Sequence, residues 1–228
     1  MNTQEFSAKE DDFAIVALID RSGSMNDTKS DTIGGFNTFK KEQAAIPGRA
    51  YMSVTLFANY TSVLFPATLI GDVPDLDTSN YITNGHSTAL YDAVGETIKL
   101  VSKSKGLPKR VLFLIITDGQ ENSSATFVTP ASIRALIEEK QAQGWEFVYM
   151  GADASAWSES RSMGFASAGV YDQTSEGIGK AYANTSANVT QMRRSSAVGA
   201  SSLSWSTANP THTIFNGVPL TPPPDLIN

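Results

Sequence analysis

The sequence lacks cysteine altogether and has very little histidine. Among its 228 residues there is no cysteine, and the two histidines are His86 and His212. Disulfides, thiolate metal sites and cysteine nucleophiles are therefore excluded. A metal site built mainly from histidine would need both residues from distant positions. The absence of cysteine also fits a reducing compartment.

Long apolar runs and an excess of positive charge are missing as well. The longest apolar runs, Phe13–Ile19 and Val111–Ile116, are far shorter than the roughly 20 residues that span a membrane. The N-terminus is polar and acidic, without the apolar segment of a signal peptide, so we expect an unprocessed cytoplasmic protein. A formal net charge of −6 gives no global attraction to nucleic acid or to an anionic membrane, and we expect neither as a partner.

The chain contains several runs that are typical of strands. Phe13–Ile19 and Val111–Ile116 are continuously apolar and rich in β-branched residues, a pattern that predicts strands buried on both faces of a parallel sheet. Tyr51–Ala58 and Glu146–Met150 are weaker versions of the same pattern. Ser62–Phe65 is predicted to be a short strand that forms a hairpin with Tyr51–Ala58.

Helical patterns alternate with these strands. The predicted helices cover Asp31–Ile46, the apolar stripe Leu90–Val101, the segment between Thr129-Pro130 and Gly144, and about Gln173–Arg194. The pair Gly34-Gly35 inside the first helix suggests the close approach of another backbone. Strands alternating with helices predict an α/β fold with a mostly parallel sheet, which binds ligands at the carboxyl ends of its strands.

The composition changes after Arg194. Residues 195–228 contain one charged residue, Asp225, and half of the ten prolines. We therefore divide the chain into a domain at 1–194 and a low-charge tail rich in Pro, Ser and Thr at 195–228. Two interpretations of this tail stay open: it packs on its own domain, or it is an arm that docks on another subunit.

Oxygen-bearing side chains follow the two strongest strands. Asp20, Ser22 and Ser24 come directly after the first, and Asp118 follows the second. Two carboxylates at neighbouring strand ends would repel each other, and a hard divalent cation would remove that repulsion. Thr88, at the start of a predicted helix, could supply a further hydroxyl. A set of ligands made only of oxygen favours Mg²⁺, Ca²⁺ or Mn²⁺ over zinc or copper.

These motifs together resemble a known family. Asp-x-Ser-x-Ser at residues 20–24, Thr88 before a helix and Thr117-Asp118-Gly119 resemble, in order, the metal-ion-dependent adhesion site of von Willebrand factor type A (VWA) domains. The resemblance covers about residues 12–194, and wider local features are similar to small VWA proteins of bacteria and bacteriophages. It implies a doubly wound, Rossmann-like α/β sheet flanked by helices, with strand order 3-2-1-4-5-6 and one antiparallel edge strand.

The resemblance also implies a set of metal ligands and a function. Ser22 and Ser24 would bind the metal directly, whereas Asp20, Thr88 and Asp118 would bind it directly or through water. In the family an Asp or Glu of a partner protein completes the coordination, so we expect a non-enzymatic, metal-dependent protein-binding module. The expected specificity loops around the site are Asn26–Ser30, Asn84–Ser87, Glu121–Thr126 and Asp153–Trp157.

Other functions fit the sequence less well. A phosphatase of the haloacid dehalogenase type would need a second acid two residues after Asp20, where the chain has Ser22. The glycine-rich motifs of dinucleotide enzymes and P-loop NTPases and the Gly-x-Ser-x-Gly motif of serine hydrolases are absent. The remaining alternative is a structural or assembly subunit of a larger particle, with the tail as docking arm. Such a subunit would be virion-associated if a bacteriophage encodes it.

Overall fold

A six-stranded sheet forms the centre of the computed structural model, which describes residues 11–165, 167–195, 214–215 and 218–219. The strand order is β3-β2-β1-β4-β5-β6, and only β3 runs antiparallel to its neighbour. The doubly wound sheet that the sequence predicts, with one antiparallel edge strand, is thereby confirmed. The strands are β1 (Phe13–Asp20), β2 (Ala50–Phe57), β3 (Thr61–Leu69), β4 (Arg110–Thr117), β5 (Trp145–Ala152) and β6 (Ser167–Tyr171).

In the described part of the chain, five α-helices cover the two faces of the sheet. They are α1 (Lys29–Ala44), α2 (Leu90–Ser102), α3 (Pro130–Ala142), α4 (Asp153–Ser162) and α5 (Ser175–Arg194). The predicted start of α3 is confirmed, because the Thr129 side chain accepts a hydrogen bond from the backbone N–H of Ser132 and Pro130 is the first helical residue. Gly144 follows this helix with a φ of 91°, a conformation that suits a helix-terminating glycine.

The central strand β1 divides the core into two halves. Its odd-numbered apolar residues, such as Ile15 and Ile19, pack in a cluster with Phe36 of α1 and Tyr182 of α5. Its even-numbered ones pack with α2 and α3 in a second cluster on the other face. Because both faces are covered, all eight residues of β1 are buried, which explains why this strand has no polar alternation.

The glycine pair in α1 has a different role from the one that the sequence suggested. Apart from the backbone of α1 itself, no atom of the described residues lies within 4 Å of a Cβ built on Gly34, whereas a Cβ on Gly35 would lie 2.2 Å from a ring carbon of Tyr182. The close neighbour of Gly35 is thus a buried aromatic side chain of α5 and not another backbone. The missing side chain lets α1 and α5 approach each other across this ring.

This arrangement predicts opposite effects for two adjacent substitutions. Gly35→Ala should lower the free energy of unfolding by about 1–3 kcal/mol, because the buried Tyr182 ring has to move. Gly34→Ala is the matched control and should raise the free energy of unfolding by up to about 1 kcal/mol. Alanine favours the helix, and its methyl group would make no steric clash here. Urea unfolding of the two variants measures the difference, and equal effects would contradict the close contact.

The C-terminal part of the chain is described only in fragments. Helix α5 ends at Arg194, and two short strands, β7 (Ile214–Phe215) and β8 (Val218–Pro219), pair antiparallel. Apart from Ser195, the other residues of the predicted tail, like His212, lie outside the described residues, so both interpretations of the tail remain predictions. Within the described part of the chain, no helix combines the length and apolar character needed to cross a membrane.

Candidate metal centre

Three segments that are distant in sequence meet at the carboxyl edge of the sheet. Asp20 ends β1, Thr117 ends β4, and the loop before α2 joins them through an isolated parallel bridge between Ser22 and Gly85. The Gly23 N–H donates to the Gly85 carbonyl oxygen at 2.9 Å, and the Gly85 N–H donates to the carbonyl oxygen of residue 21 at 3.2 Å. These bonds hold the loop that carries Thr88 against the end of β1.

Glycine is required at position 85 for steric reasons. A Cβ built there would lie 2.2 Å from the Cβ of Ala58 and 3.3 Å from the Cα of Ser22. Any other residue would push the loop away from β1 or from the turn after β2. The glycine in the segment Asn84–Ser87 therefore fixes where the Thr88 side chain lies.

The five predicted ligands border one common space. The Ser22 and Ser24 hydroxyl oxygens are 3.0 Å apart, and the Ser24 hydroxyl donates to Oδ1 of Asp118 at 2.7 Å. A Cβ built on Gly119 would lie 3.1 Å from the Thr88 hydroxyl oxygen and 3.3 Å from Oδ2 of Asp20. Asp20, Ser22, Ser24, Thr88 and Asp118 are thus brought together, although they come from three parts of the chain.

Asp20 is the most enclosed of these residues. Its side chain has no exposed surface; Oδ1 accepts the backbone N–H of Ser22 and Oδ2 accepts the Thr117 hydroxyl, each at 2.6 Å. Burial raises the pKa of Asp20 to about 6; the two hydrogen bonds work against this rise, and the charge of Asp118 adds to it. The charged form of Asp20 is therefore costly without a cation.

Asp118 carries an oxygen that no group in the described part of the chain satisfies. Its Oδ2 is buried, and no hydrogen-bond donor in the described residues reaches it. Burial raises the pKa of Asp118, the Ser24 hydrogen bond lowers it, and Asp27 contributes a further increase. A buried carboxylate oxygen without a donor needs a partner, and the described residues do not supply one.

The donor set fits a hard divalent cation. Asp20 and Asp118 form no ion pair with any described residue, and the other three side chains are neutral hydroxyls. In the described part of the chain, no three residues of the types His, Cys, Asp and Glu lie where they could hold a metal ion. A cation at this edge would therefore depend on the serine and threonine hydroxyls as well as on the two carboxylates.

Several supporting residues escaped prediction. The Thr88 N–H donates to Oδ1 of Asn122 at 2.8 Å, and the Asn122 N–H donates back to the Thr88 carbonyl oxygen at 3.0 Å. The buried Tyr81 hydroxyl donates to the carbonyl oxygen of Asp20 at 2.5 Å, and the Tyr171 hydroxyl donates to that of Thr117 at 3.1 Å. Of the supporting residues, Thr117 belonged to a predicted motif and Asn122 to a predicted loop, whereas nothing in the sequence pointed to Tyr81 or Tyr171.

Two of the four segments expected to be specificity loops are loops in the structure, and their role in specificity stays a prediction. Residues 121–126 form a loop, tied to the start of α2 by the Tyr91 N–H, which donates to Glu121 at 2.9 Å. The segment Asn84–Ser87 is also a loop, and His86 is exposed in it. Asn26–Ser30, in contrast, already contains the start of α1. The prediction for 153–157 was wrong, because these residues form the first turns of α4.

Comparisons with known proteins give matches in structure but not in sequence. No protein-family profile matches the chain, and no curated protein sequence matches it significantly. Among solved structures, a von Willebrand factor type A protein from Catenulispora acidiphila superposes with a TM-score of 0.56 at 14% identity, over 80% of this chain and 43% of that one. The PilB minor pilin from Streptococcus sanguinis superposes with a TM-score of 0.60 at 11% identity, over 84% of this chain and 62% of the pilin.

A third neighbour was solved with a metal. Proximal thread matrix protein 1 from the mussel byssus, whose structure has a zinc-occupied MIDAS motif, gives a TM-score of 0.54 at 16% identity, over 78% of this chain and 46% of that one. The present chain thus spans less than two thirds of each of these three neighbours. With its strand order and helix placement, it has the von Willebrand factor type A fold.

Proposed function

We propose that this chain is a non-enzymatic module that binds a divalent cation through Asp20, Ser22, Ser24, Thr88 and Asp118 and engages a protein partner through it. An aspartate or glutamate of the partner would reach the cation at the edge of the sheet. The sequence motifs lead to this proposal, and the common space bordered by the five side chains supports it.

The observation that carries the proposal is the unsatisfied charge of the two aspartates. Asp20 is fully buried and Asp118 has a buried oxygen without a donor, yet neither has a cationic partner among the described residues. The hydrogen bonds that these carboxylates accept do not neutralise their charge, and a buried charge without an opposite charge nearby is costly. A divalent cation would neutralise both carboxylates and offer a coordination position to an acid from outside.

The site is accessible to a partner from one side only among the described residues. Asp20, Ser22 and Thr88 are at most 4% exposed, whereas Ser24 is exposed and Asp118 is partly so. Access to the common space is therefore from the side of Ser24 and Asp118. The ion is expected to be Mg²⁺, Ca²⁺ or Mn²⁺, since all the ligands are oxygens; the zinc in the mussel neighbour adds Zn²⁺ as a further ion to test.

Catalysis is not part of the proposal. Both oxygens of Asp20 are engaged by Ser22 and Thr117, and the carboxylate is enclosed, so it cannot reach a substrate as base or nucleophile. His86 is exposed in its loop, a position that does not orient an imidazole for proton transfer. The alternative of an assembly subunit depends on the tail at 195–228, as does virion association, and stays a prediction; so does the cytoplasmic location.

A peptide selection tests the proposed function without knowledge of the natural partner. Random dodecapeptides displayed on phage would be bound to the full chain in millimolar Mg²⁺ and eluted with a chelator. We expect the eluted peptides to share an Asp or Glu whose replacement by Asn or Gln abolishes binding. The same selection on Ser22→Ala should enrich nothing, because a ligand is lost. Enrichment that resists the chelator, or that lacks an acidic residue, would contradict the proposal.

A further inference from the structure

Arg21 lies between two residues of the proposed metal site. Its backbone N–H donates to the Phe57 carbonyl oxygen at 2.8 Å, and its own carbonyl oxygen accepts the Gly85 N–H at 3.2 Å. The backbone is thereby fixed from both sides. Since successive side chains of an extended segment point in opposite directions, Arg21 leaves the chain away from Asp20 and Ser22, towards the turn between β2 and β3.

The guanidinium of Arg21 is held by an aromatic ring but has no anionic partner. Its Cζ lies 4.5 Å from the ring centroid of Tyr60, a cation–π contact. The Nε atom is buried without a hydrogen-bond partner, and the guanidinium makes no ion pair with any described residue. The four N–H donors of the two terminal nitrogens are thus left to bind a ligand from outside.

Tyr60 presents this arginine at the same edge of the protein as the metal site. The ring is 57% exposed, in the turn that follows β2. Two residues earlier, the Ala58 carbonyl oxygen accepts the N–H of Ala89 at 2.8 Å, directly beside Thr88. The turn that carries Tyr60 is therefore tied by a hydrogen bond to the segment that carries Thr88.

A cation at this position is unfavourable unless an anion compensates it. Arg21 stands between two proposed ligands of a divalent ion in the sequence, and its positive charge adds to that of the ion on this side of the protein. Nothing in the described fold pairs it. An incoming carboxylate would satisfy the free donors, because guanidinium and carboxylate form two parallel hydrogen bonds.

We propose that Arg21 and Tyr60 form a second contact for the same partner, so that the partner segment must carry two carboxylates. One acid reaches the metal, and the other pairs with Arg21 while its aliphatic stem packs on Tyr60. This inference rests on the proposed function and adds a specificity rule to it. The ring restrains the guanidinium before binding, so little rotamer freedom is lost when the second acid arrives.

The peptide selection, repeated on Arg21→Gln, tests the second contact. Peptides selected on the wild-type chain should share two acidic residues at a fixed spacing, and those selected on Arg21→Gln should share only one. For one synthetic two-acid peptide, neutralising the second acid should weaken binding to wild type about tenfold and leave binding to Arg21→Gln unchanged. Non-additive effects of these two changes would show that the second acid and Arg21 interact directly.

Two controls separate this contact from general charge effects. Arg194→Gln removes the same charge from an exposed residue at the end of α5, far from the site, and should bind the two-acid peptide like wild type. Tyr60→Ala should weaken binding more than Tyr60→Phe, which keeps the ring.

Failure of the inference and failure of the proposed function give different results. Magnesium-dependent peptides with a single shared acid, selected equally by wild type and Arg21→Gln, would overturn the second contact and leave the metal site standing. No magnesium-dependent enrichment on wild type would contradict the proposed function and the second contact together. A double-mutant cycle that is additive would also overturn the pairing of Arg21 with an acid.

Discussion

Millimolar Mg²⁺ is expected to raise the unfolding temperature of the wild-type protein by about 5–10 °C. An ion present at 100 times its dissociation constant stabilises a folded protein by about 2.7 kcal/mol, and in a domain of this size each kcal/mol corresponds to about 2–4 °C. Asp118→Asn should abolish this shift, because it removes one of the two carboxylates. Thermal unfolding with and without Mg²⁺, at ionic strength matched with NaCl, measures the effect.

The same substitution should make the metal-free protein more stable. The amide that replaces the Asp118 carboxylate would keep an oxygen for the Ser24 hydroxyl and remove the like charge near Asp20, which we expect to contribute about 1 kcal/mol after allowance for solvent screening. Asp72→Asn is the matched control, since it removes the same charge from an exposed residue remote from the site and should retain the full response to Mg²⁺. A magnesium response that survives in Asp118→Asn would exclude Asp118 as a ligand.

Without metal, the protein should lose stability as the pH rises from about 4 to about 6. The pKa of Asp20 is about 6 in the folded protein, against an ordinary value of 3.8, so the folded state binds this proton more tightly than the unfolded state. The resulting stabilisation is complete below the unfolded pKa and is lost as the pH passes the folded pKa. The loss amounts to about 3 kcal/mol, and the raised pKa of Asp118 acts in the same direction.

Comparison with Asp20→Asn isolates this dependence from that of other acids. Exposed residues such as Glu139 and Glu176 have lowered pKa values and change the stability in the opposite sense. The measurement is therefore the difference in pH slope between wild type and Asp20→Asn, from urea unfolding in a chelating buffer. Parallel slopes over this range would show that Asp20 does not carry a raised pKa.

Local sequence patterns were sufficient for the strongest elements of the fold. The strands β1 and β4 can be recognised from their continuous apolar runs, because strands covered on both faces have no room for polar residues. The edge strand β6 (Ser167–Tyr171) has small residues and no apolar run, so its place follows only from pairing with β5. The family resemblance implied a sixth strand without locating it along the chain.

The site was predictable where its residues belong to strand ends, and unpredictable where contacts cross the fold. Asp20 and Asp118 follow apolar runs, so the topology of a parallel sheet brings them to one edge. Asn122 contacts Thr88 across 34 residues of sequence, and Tyr81 contacts Asp20 across 61. No local sequence pattern predicts such contacts. The contact between Gly35 and Tyr182 was unpredictable for the same reason, since it depends on how α1 packs against α5.

The hydrogen bond between Ser24 and Asp118 has a consequence for the kinetics of folding. The two residues are 94 positions apart and follow the neighbouring strands β1 and β4, so we expect their side chains to meet only after these strands have paired. Contacts that form this late are largely absent from the folding transition state. A ligand that depends on them would prolong the lifetime of the native protein by slowing its unfolding, and would leave the rate of folding almost unchanged.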